Sequence, residues 1–148
     1  MSVLFTDVMT VYNYYRDTDT NIESWGRSVI RGVQWSHNKS EVTTSGNIQT
    51  ENKVEKITID FQRNYKGNKP YLPPQEYGKL PDEDKGNYWT LDARQRKDIL
   101  VLGESGREIS QAYRVSELFN DFQYAVTVTA VSDNRNRPRL KQIKVVGK

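Results

Sequence analysis

Three arginines alternate along one short polar segment, and of all the residues in this sequence they are the best suited to binding an anion. Arg135, Arg137 and Arg139 lie in the stretch SDNRNRPRL, between the apolar runs AVTVTAV and KQIKVV. Alternate residues of an extended chain point to the same side. The three guanidinium groups are therefore predicted to form one cationic edge at the tip of a β-hairpin. Guanidinium groups bind phosphates and carboxylates through parallel hydrogen bonds.

Three interpretations of this cationic edge are open from the sequence. In the first, the arginines form a solvated turn whose charges protect a sheet edge. In the second, they contact phosphates of nucleic acid. In the third, they pair with carboxylates of an adjacent subunit, and the acidic residues Asp82, Glu83 and Asp84 supply that counterpart.

The acidic residues belong to a long segment, residues 62–89, which we expect to be a loop or arm inserted into a single domain spanning residues 1–148. This segment contains four of the five prolines and three of the nine glycines. A structureless loop of this length calls for a reason. One explanation is a tolerated surface insertion. The other is a binding arm whose Tyr71, Tyr77 and Tyr88 dock on a neighbouring molecule.

Residues typical of catalysis or metal binding are sparse. The sequence has no cysteine, and His37 is its one histidine, so neither a zinc site nor a disulfide is expected. No serine lies in a G-x-S-x-G elbow, and no glycine-rich phosphate loop is present. We therefore expect no enzymatic activity, no cofactor and no metal ion.

The elements that position these residues are predicted to be mainly β-strands. Alternating and β-branched runs indicate about six of them, at 8–15, 23–36, 54–61, 98–104, 125–131 and 141–146. Gly26 or Gly32 is expected to form a bulge in the second strand. The polar stretch 37–53 is weakly patterned and carries only a turn signal at 45–47. Residues 107–122 contain the one helical candidate. The pattern predicts a small antiparallel β-barrel or sandwich with one short helix and a long Pro/Gly-rich loop.

Composition limits the partners. The 22 basic and 19 acidic residues give a net charge of +3, a smaller excess than in a dedicated DNA-binding protein. No apolar run approaches the ~20 residues of a membrane span, and the first ten residues lack a signal-peptide pattern. We therefore expect no membrane partner and a location in a cytoplasm.

The two ends of the sequence resemble the small head–tail connector proteins of tailed bacteriophages and prophages, also called head-closure, stopper or minor capsid proteins. D-V-x-T-V-Y-N-x-Y at 7–15, followed by W-G-R-S-V-I-R-G-V-Q-W at 25–35, resembles their opening strands. DILVLGE, then EIS, AVTVTAVSDNR and KVVGK, is similar to their closing module. The resemblance covers roughly residues 5–37 and 97–148 and does not extend through residues 38–96.

The resemblance implies a small β-barrel without a catalytic role, acting as a structural protein of the virion neck. Copies of the chain would assemble, in the bacterial host cytoplasm, into a homo-oligomeric ring, a hexamer or a dodecamer. The ring would contact a portal or adaptor protein on one side and a tail terminator or tail tube protein on the other. Packaged double-stranded DNA is a further expected partner, and the resemblance places Arg135 and Arg137 at the wall of the DNA channel.

Such a ring joins its subunits head-to-tail through two different patches. The segment with Arg135, Arg137 and Arg139, which we call the arginine hairpin, and the acidic loop with Asp82, Glu83 and Asp84 are complementary in charge and could form two such patches. Two alternatives stand beside this prediction. One is a tail-completion protein at the top of the tail tube. The other is a nucleic-acid-binding β-barrel, in which aromatic side chains on one sheet face would be exposed as stacking platforms.

Overall fold

A computed structural model of the protein describes the greater part of the chain. For residues 37–45 and 48–53 and for Asp82 it describes the backbone alone. The described residues are 7–16, 23–45, 48–61, 66–67, 69–95, 97–109, 113–122, 124–135 and 142–148.

Seven strands and three short helices follow one another in the described ranges. In chain order they are β1 (Asp7–Arg16), β2 (Glu23–Ser45), β3 (Ile48–Asp60), β4 (Lys66–Gly67), α1 (Pro74–Tyr77), α2 (Asp82–Lys85), β5 (Ile99–Leu102), α3 (Val115–Asp121), β6 (Ala125–Asp133) and β7 (Gln142–Gly147). The helix expected within 107–122 is α3. The two four-residue helices, α1 and α2, were not predicted, because the proline and glycine content around them indicated only a loop.

The strands form one sheet in the order β1-β5-β6-β7-β3-β2-β4, and β1 also pairs with β2. Every one of these strand pairs is antiparallel. Because of the additional β1–β2 pairing, the pairings of all the strands except β4 form a closed cycle. The predicted mainly β, antiparallel class is confirmed.

Gly32 forms the bulge that the sequence indicated. The register between β1 and β2 shifts between Asp7 and Val8, and Gly32 is the extra residue in β2. Its φ of 78° lies in the left-handed region that glycine adopts without strain. An extra residue reverses the alternation of a strand. Ile30 before the bulge and Val33 after it are consequently both fully buried.

Two apolar clusters stabilise the sheet on its two sides. Leu100 belongs to the first cluster while its neighbours Ile99 and Val101 belong to the second, so β5 is buried on both faces. Helix α3 covers the second cluster through Leu118. The first cluster comprises Met9, Val11, Ile30, Val33, Trp35, Ile57, Ile59, Trp89, Leu91, Leu100, Val126, Val128, Ile143 and Val145.

The described part of the segment 62–89 is joined to the core by backbone hydrogen bonds and by two buried aromatic side chains. The backbone of Trp89 is hydrogen-bonded to Pro70 and Leu72 at 3.0 and 2.9 Å. These two bonds bring together the two ends of the segment that contains helices α1 and α2. The Trp89 side chain is fully buried, and Tyr77 is only 4% exposed. From residue 69 onward the segment is therefore a loop with two short helices that packs on the core through these two side chains, and its role as a binding arm stays a prediction. Burial of large aromatic rings outweighs the entropic cost of ordering this segment.

Strands β2 and β3 continue beyond the rest of the sheet. They pair as far as Ser45 and Ile48, whereas β7 pairs with β3 only between Glu55 and Asp60. Residues 38–45 and 48–54, which we call the β2–β3 ribbon, therefore form a two-stranded extension roughly 26 Å long. The described parts of the weakly patterned stretch, residues 37–45 and 48–53, are thus strand rather than irregular chain. The tip of its predicted turn, Gly46 and Asn47, lies outside the described residues.

Candidate interaction surface

The base of the arginine hairpin is fixed by one ion pair. Arg135 Nε donates to both carboxylate oxygens of Asp133 at 2.9 and 3.1 Å, and its Nη2 donates to Oδ2 at 2.9 Å. These hydrogen bonds raise the pKa of Arg135. Burial raises the pKa of Asp133, but the hydrogen bonds from Arg135 outweigh it, and the net pKa is lowered. Arg135 is therefore paired within its own chain, and the single cationic edge that it was expected to form with Arg137 and Arg139 stays a prediction.

The guanidinium group of Arg135 lies over two aromatic rings. The Arg135 carbon Cζ lies 4.7 Å from the ring centroid of Tyr71 and 5.7 Å from that of Phe61. Tyr71 in turn meets Trp89 edge-on, with centroids 4.8 Å apart, and Phe61 stacks on Trp89 at 6.3 Å. Burial raises the pKa of Tyr71 to about 12, so its hydroxyl stays protonated. The ion pair is consequently anchored to the first apolar cluster.

A cleft of about 430 Å³ opens beside this ion pair. Its lining combines apolar and charged residues, and its volume lies within the range typical of ligand-binding clefts. It is lined by Tyr71, Pro73, Pro74, Gln75, Leu91, Asp92, Ala93, Arg94, Val131 and Asp133. Tyr71 is the predicted site residue that this cleft contains.

The other predicted tyrosines lie apart from the hairpin. Tyr77 is buried within its own chain, and burial followed by the charge of Asp98 raises the pKa of its hydroxyl. In this structure Tyr77 is therefore not exposed for docking on a neighbour. Pro74 occupies the first turn of α1, where its fixed φ favours helix initiation, and α1 ends at Tyr77. Tyr88 is half-buried.

The three acidic residues follow Pro81 in helix α2. Glu83 is exposed and Asp84 is half-buried, whereas the side chain of Asp82 is outside the described part. Among the described side chains, the acids that raise the pKa of Arg135 are Asp133 and Glu76, and neither of them lies in α2. Arg137 and Arg139 lie outside the described residues, so the pairing of their charges with α2 stays a prediction.

A buried polar cluster around Asp98 was missed in the sequence. Asp98 is 2% exposed, and its carboxylate accepts hydrogen bonds from the backbone N–H groups of Tyr14 and Asp92, both at 2.8 Å. Asn13 also donates to it, at 3.2 Å. Burial raises the pKa of Asp98 to about 7, against the effect of these donors. An aspartate before an apolar strand gives no sign of such burial, because its partners are distant in sequence.

The described side chains give two further results. None of their histidine, cysteine, aspartate and glutamate residues form a group of three or more that could hold a metal ion. No helix in the described ranges is long and apolar enough to cross a membrane.

Fold and surface together define a mainly β protein with a closed cycle of strand pairings, a paired cation at a hairpin base and a projecting ribbon. The chain belongs to a protein family described as a family of unknown function (DUF6751), which matches residues 4–148. No curated protein and no solved structure matches the chain.

Proposed function

We propose that the protein is a structural virion protein of the bacteriophage neck. It is a ring subunit that joins the DNA-filled head, through a portal or adaptor protein, to the tail. In this proposal the cycle of strand pairings is a small closed β-barrel. The closed pairing around one apolar cluster supports the barrel.

The observation that carries the proposal is the β2–β3 ribbon. Among the described strands, its two strands pair only with each other over residues 38–45 and 48–54. Their outer edges consequently present backbone donors and acceptors. An isolated two-stranded ribbon is marginally stable in water, and open strand edges pair with other chains. A neighbouring subunit in a head-to-tail ring is a partner that satisfies such edges.

The arginine hairpin supplies a second contact surface in this proposal. The pairing of Arg135 with Asp133 fixes the point at which the chain continues toward Arg137 and Arg139. Carboxylates of α2 in the neighbouring subunit, with Glu83 exposed to solvent, are the proposed counterpart. Complementary charges of this kind set register and partner choice more than affinity.

The distribution of aromatic residues favours this role over a standalone nucleic-acid-binding barrel. The aromatic side chains in the described ranges are all buried or half-buried. That distribution suits a barrel core and subunit contacts. A platform that stacks successive bases needs aromatic faces open to solvent.

Assembly of the purified protein tests the proposal. We expect a monomer at micromolar concentration, measured by mass photometry, and rings of six or twelve copies in negative-stain micrographs once the portal or adaptor protein of the same phage is added. Docking on a preformed ring is what fixes the copy number. A two-fold dimer that persists on dilution and does not bind the portal or adaptor would contradict the proposal.

A further inference from the structure

Four basic residues converge where β2 pairs with the short strand β4. Arg27 and Arg31 lie on the same side of β2, and Lys66 in β4 is the pairing partner of Arg31. Lys69 Nζ donates a hydrogen bond to the backbone oxygen of Arg27 at 2.6 Å. An open groove of about 400 Å³ lies at this point, which we call the β2–β4 groove. It is lined by Arg27, Val29, Arg31, Lys66, Gly67 and Glu104.

The groove carries more positive than negative charge. Glu104 is the one carboxylate in the part of the lining that the structure describes, and it pairs with Arg31 at 2.9 Å in an ion pair more than half exposed. Burial, and then the charge of Arg27, lower the pKa of Lys69, while Glu108 acts in the opposite direction. Neighbouring like charges disfavour each other's charged forms. An anion bound in the groove would relieve that repulsion.

One of the cations is held in place by buried groups. Arg27 Nη1 donates to the backbone oxygen of Ser105 at 2.9 Å, and Ser105 is 1% exposed. The Ser105 N–H is bonded to Thr10 Oγ1, and its hydroxyl to Tyr12. The buried Nε of Arg27 has no hydrogen-bond partner among the described residues. The groove therefore presents a guanidinium in a fixed position, which lowers the entropic cost of binding.

We propose that the β2–β4 groove binds the phosphates of a duplex DNA backbone. Arg27 and Arg31 are four residues apart on one strand, which separates them by roughly 13 Å, the axial length of about four phosphates along one DNA strand. Among the described residues, the lining contains no aromatic ring on which a base could stack, so it favours the backbone of a duplex over single strands. This site is separate from the arginine hairpin and does not depend on the ring.

The test compares two double substitutions that remove the same charge. R31Q/K66Q changes two exposed cations of the groove, and K56Q/K144Q changes two exposed lysines on β3 and β7. Binding of a fluorescent 20-base-pair duplex is measured by anisotropy between 50 and 200 mM salt. We expect R31Q/K66Q to reduce the slope of log K against log salt by about 2. K56Q/K144Q should keep the slope of the unaltered protein.

The same assay contains the outcomes that overturn the inference. These are no duplex binding by the unaltered protein at 50 mM salt, an equal loss in both variants, or tighter binding of a single-stranded oligonucleotide. Tighter binding of a polyglutamate peptide than of the duplex would assign the groove to an acidic protein instead. Melting curves of both variants verify that they are folded. Because the assay uses purified protein and DNA, its failure leaves the neck proposal standing, and failure of the neck proposal leaves this site standing.

Discussion

Asn13 and Asp98 are 85 residues apart in the chain, and the Asn13 amide donates to the Asp98 carboxylate inside the protein at 3.2 Å. The same amide nitrogen donates to the Thr90 backbone oxygen at 2.5 Å, and the Thr90 N–H donates back to Asn13 Oδ1 at 3.1 Å. One buried polar cluster therefore connects three parts of the chain: strand β1, Thr90 after helix α2, and Asp98 directly before strand β5. Buried polar clusters of this kind are costly when any member loses its partner.

The first prediction concerns the pH dependence of stability. The pKa of Asp98 is raised to about 7 in the folded protein, above its value of about 3.9 in an unfolded chain. Between these values the folded state holds a proton that the unfolded state has lost. The contribution of Asp98 to the free energy of unfolding therefore falls as pH rises from about 4 to about 7 and is constant above it.

Urea unfolding from pH 4 to 8 measures this contribution. Asp98→Asn should remove the decline in the free energy of unfolding between about pH 4 and 7. The variant should also be less stable at every pH, because the amide nitrogen of the new asparagine would face a backbone N–H donor. The exposed Glu83→Gln variant should keep the pH profile of the unaltered protein. An unchanged profile in Asp98→Asn would show that another group titrates.

The second prediction concerns the bulge in β2. Gly32→Ala should destabilise the protein by about 1–2 kcal/mol, because an alanine is strained at a φ of 78°. Gly26→Ala is the matched control on the same strand. A Cβ at position 26 has open space around it, so that change should be neutral or slightly stabilising. Equal effects of the two changes in denaturant unfolding would contradict the role assigned to Gly32.

The third prediction concerns Arg135. Removing a partly exposed ion pair costs up to about 1 kcal/mol, and losing a guanidinium over an aromatic ring adds about 0.5–1 kcal/mol. Arg135→Ala should therefore destabilise the protein by about 1–2 kcal/mol, whereas the exposed Lys144→Ala should change stability by less than about 0.5 kcal/mol. Urea midpoints distinguish the two. Equal midpoints would show that the ion pair contributes nothing to folding.

The sequence predicts an element of this fold where the burial of its side chains follows from the local pattern, and fails where burial depends on residues distant in the chain. Alternation at Ile57 and Ile59 and the apolar run of β5 identify strands directly, because one or both faces are buried. The β2–β3 ribbon escapes the same reasoning, because backbone pairing in a hairpin needs no apolar side chain. Trp89 escapes it as well, since its burial depends on Tyr71 and Phe61, which its local sequence does not show. The pairing of Arg135 with Asp133 was open to prediction as a two-residue spacing of opposite charges.

The fourth prediction separates folding from assembly. Asn38 and Val54 are paired across β2 and β3, so a two-residue Asn-Gly turn can replace residues 39–53 and close the hairpin there. The shortened protein should keep its melting temperature within a few degrees, because it loses none of the apolar cluster. It should no longer form rings on the portal or adaptor protein. Replacing residues 46 and 47 by Asn-Gly provides the control that keeps the ribbon. Rings from the shortened protein would contradict the role of the ribbon.

The fifth prediction concerns the charges beyond the hairpin base. R137A/R139A should leave the melting temperature nearly unchanged and reduce attachment of heads to tails, since breaking a desolvated charge pair at an interface costs roughly 2–5 kcal/mol of binding. Reversing the charges of Asp82, Glu83 and Asp84 should also reduce attachment. Combining that reversal with arginine-to-glutamate changes should partly restore it. Normal particle yield from R137A/R139A would leave the solvated turn as the better interpretation.

Electron microscopy of particles assembled without this protein tests the central claim most directly. The proposal predicts DNA-filled heads and separate tails, and joined particles once the purified protein is added back. Heads that lose their DNA would locate the ring on the head side, whereas stable heads with incomplete tails would indicate a tail-completion protein. Normal, joined particles in the absence of the protein would contradict the proposed function.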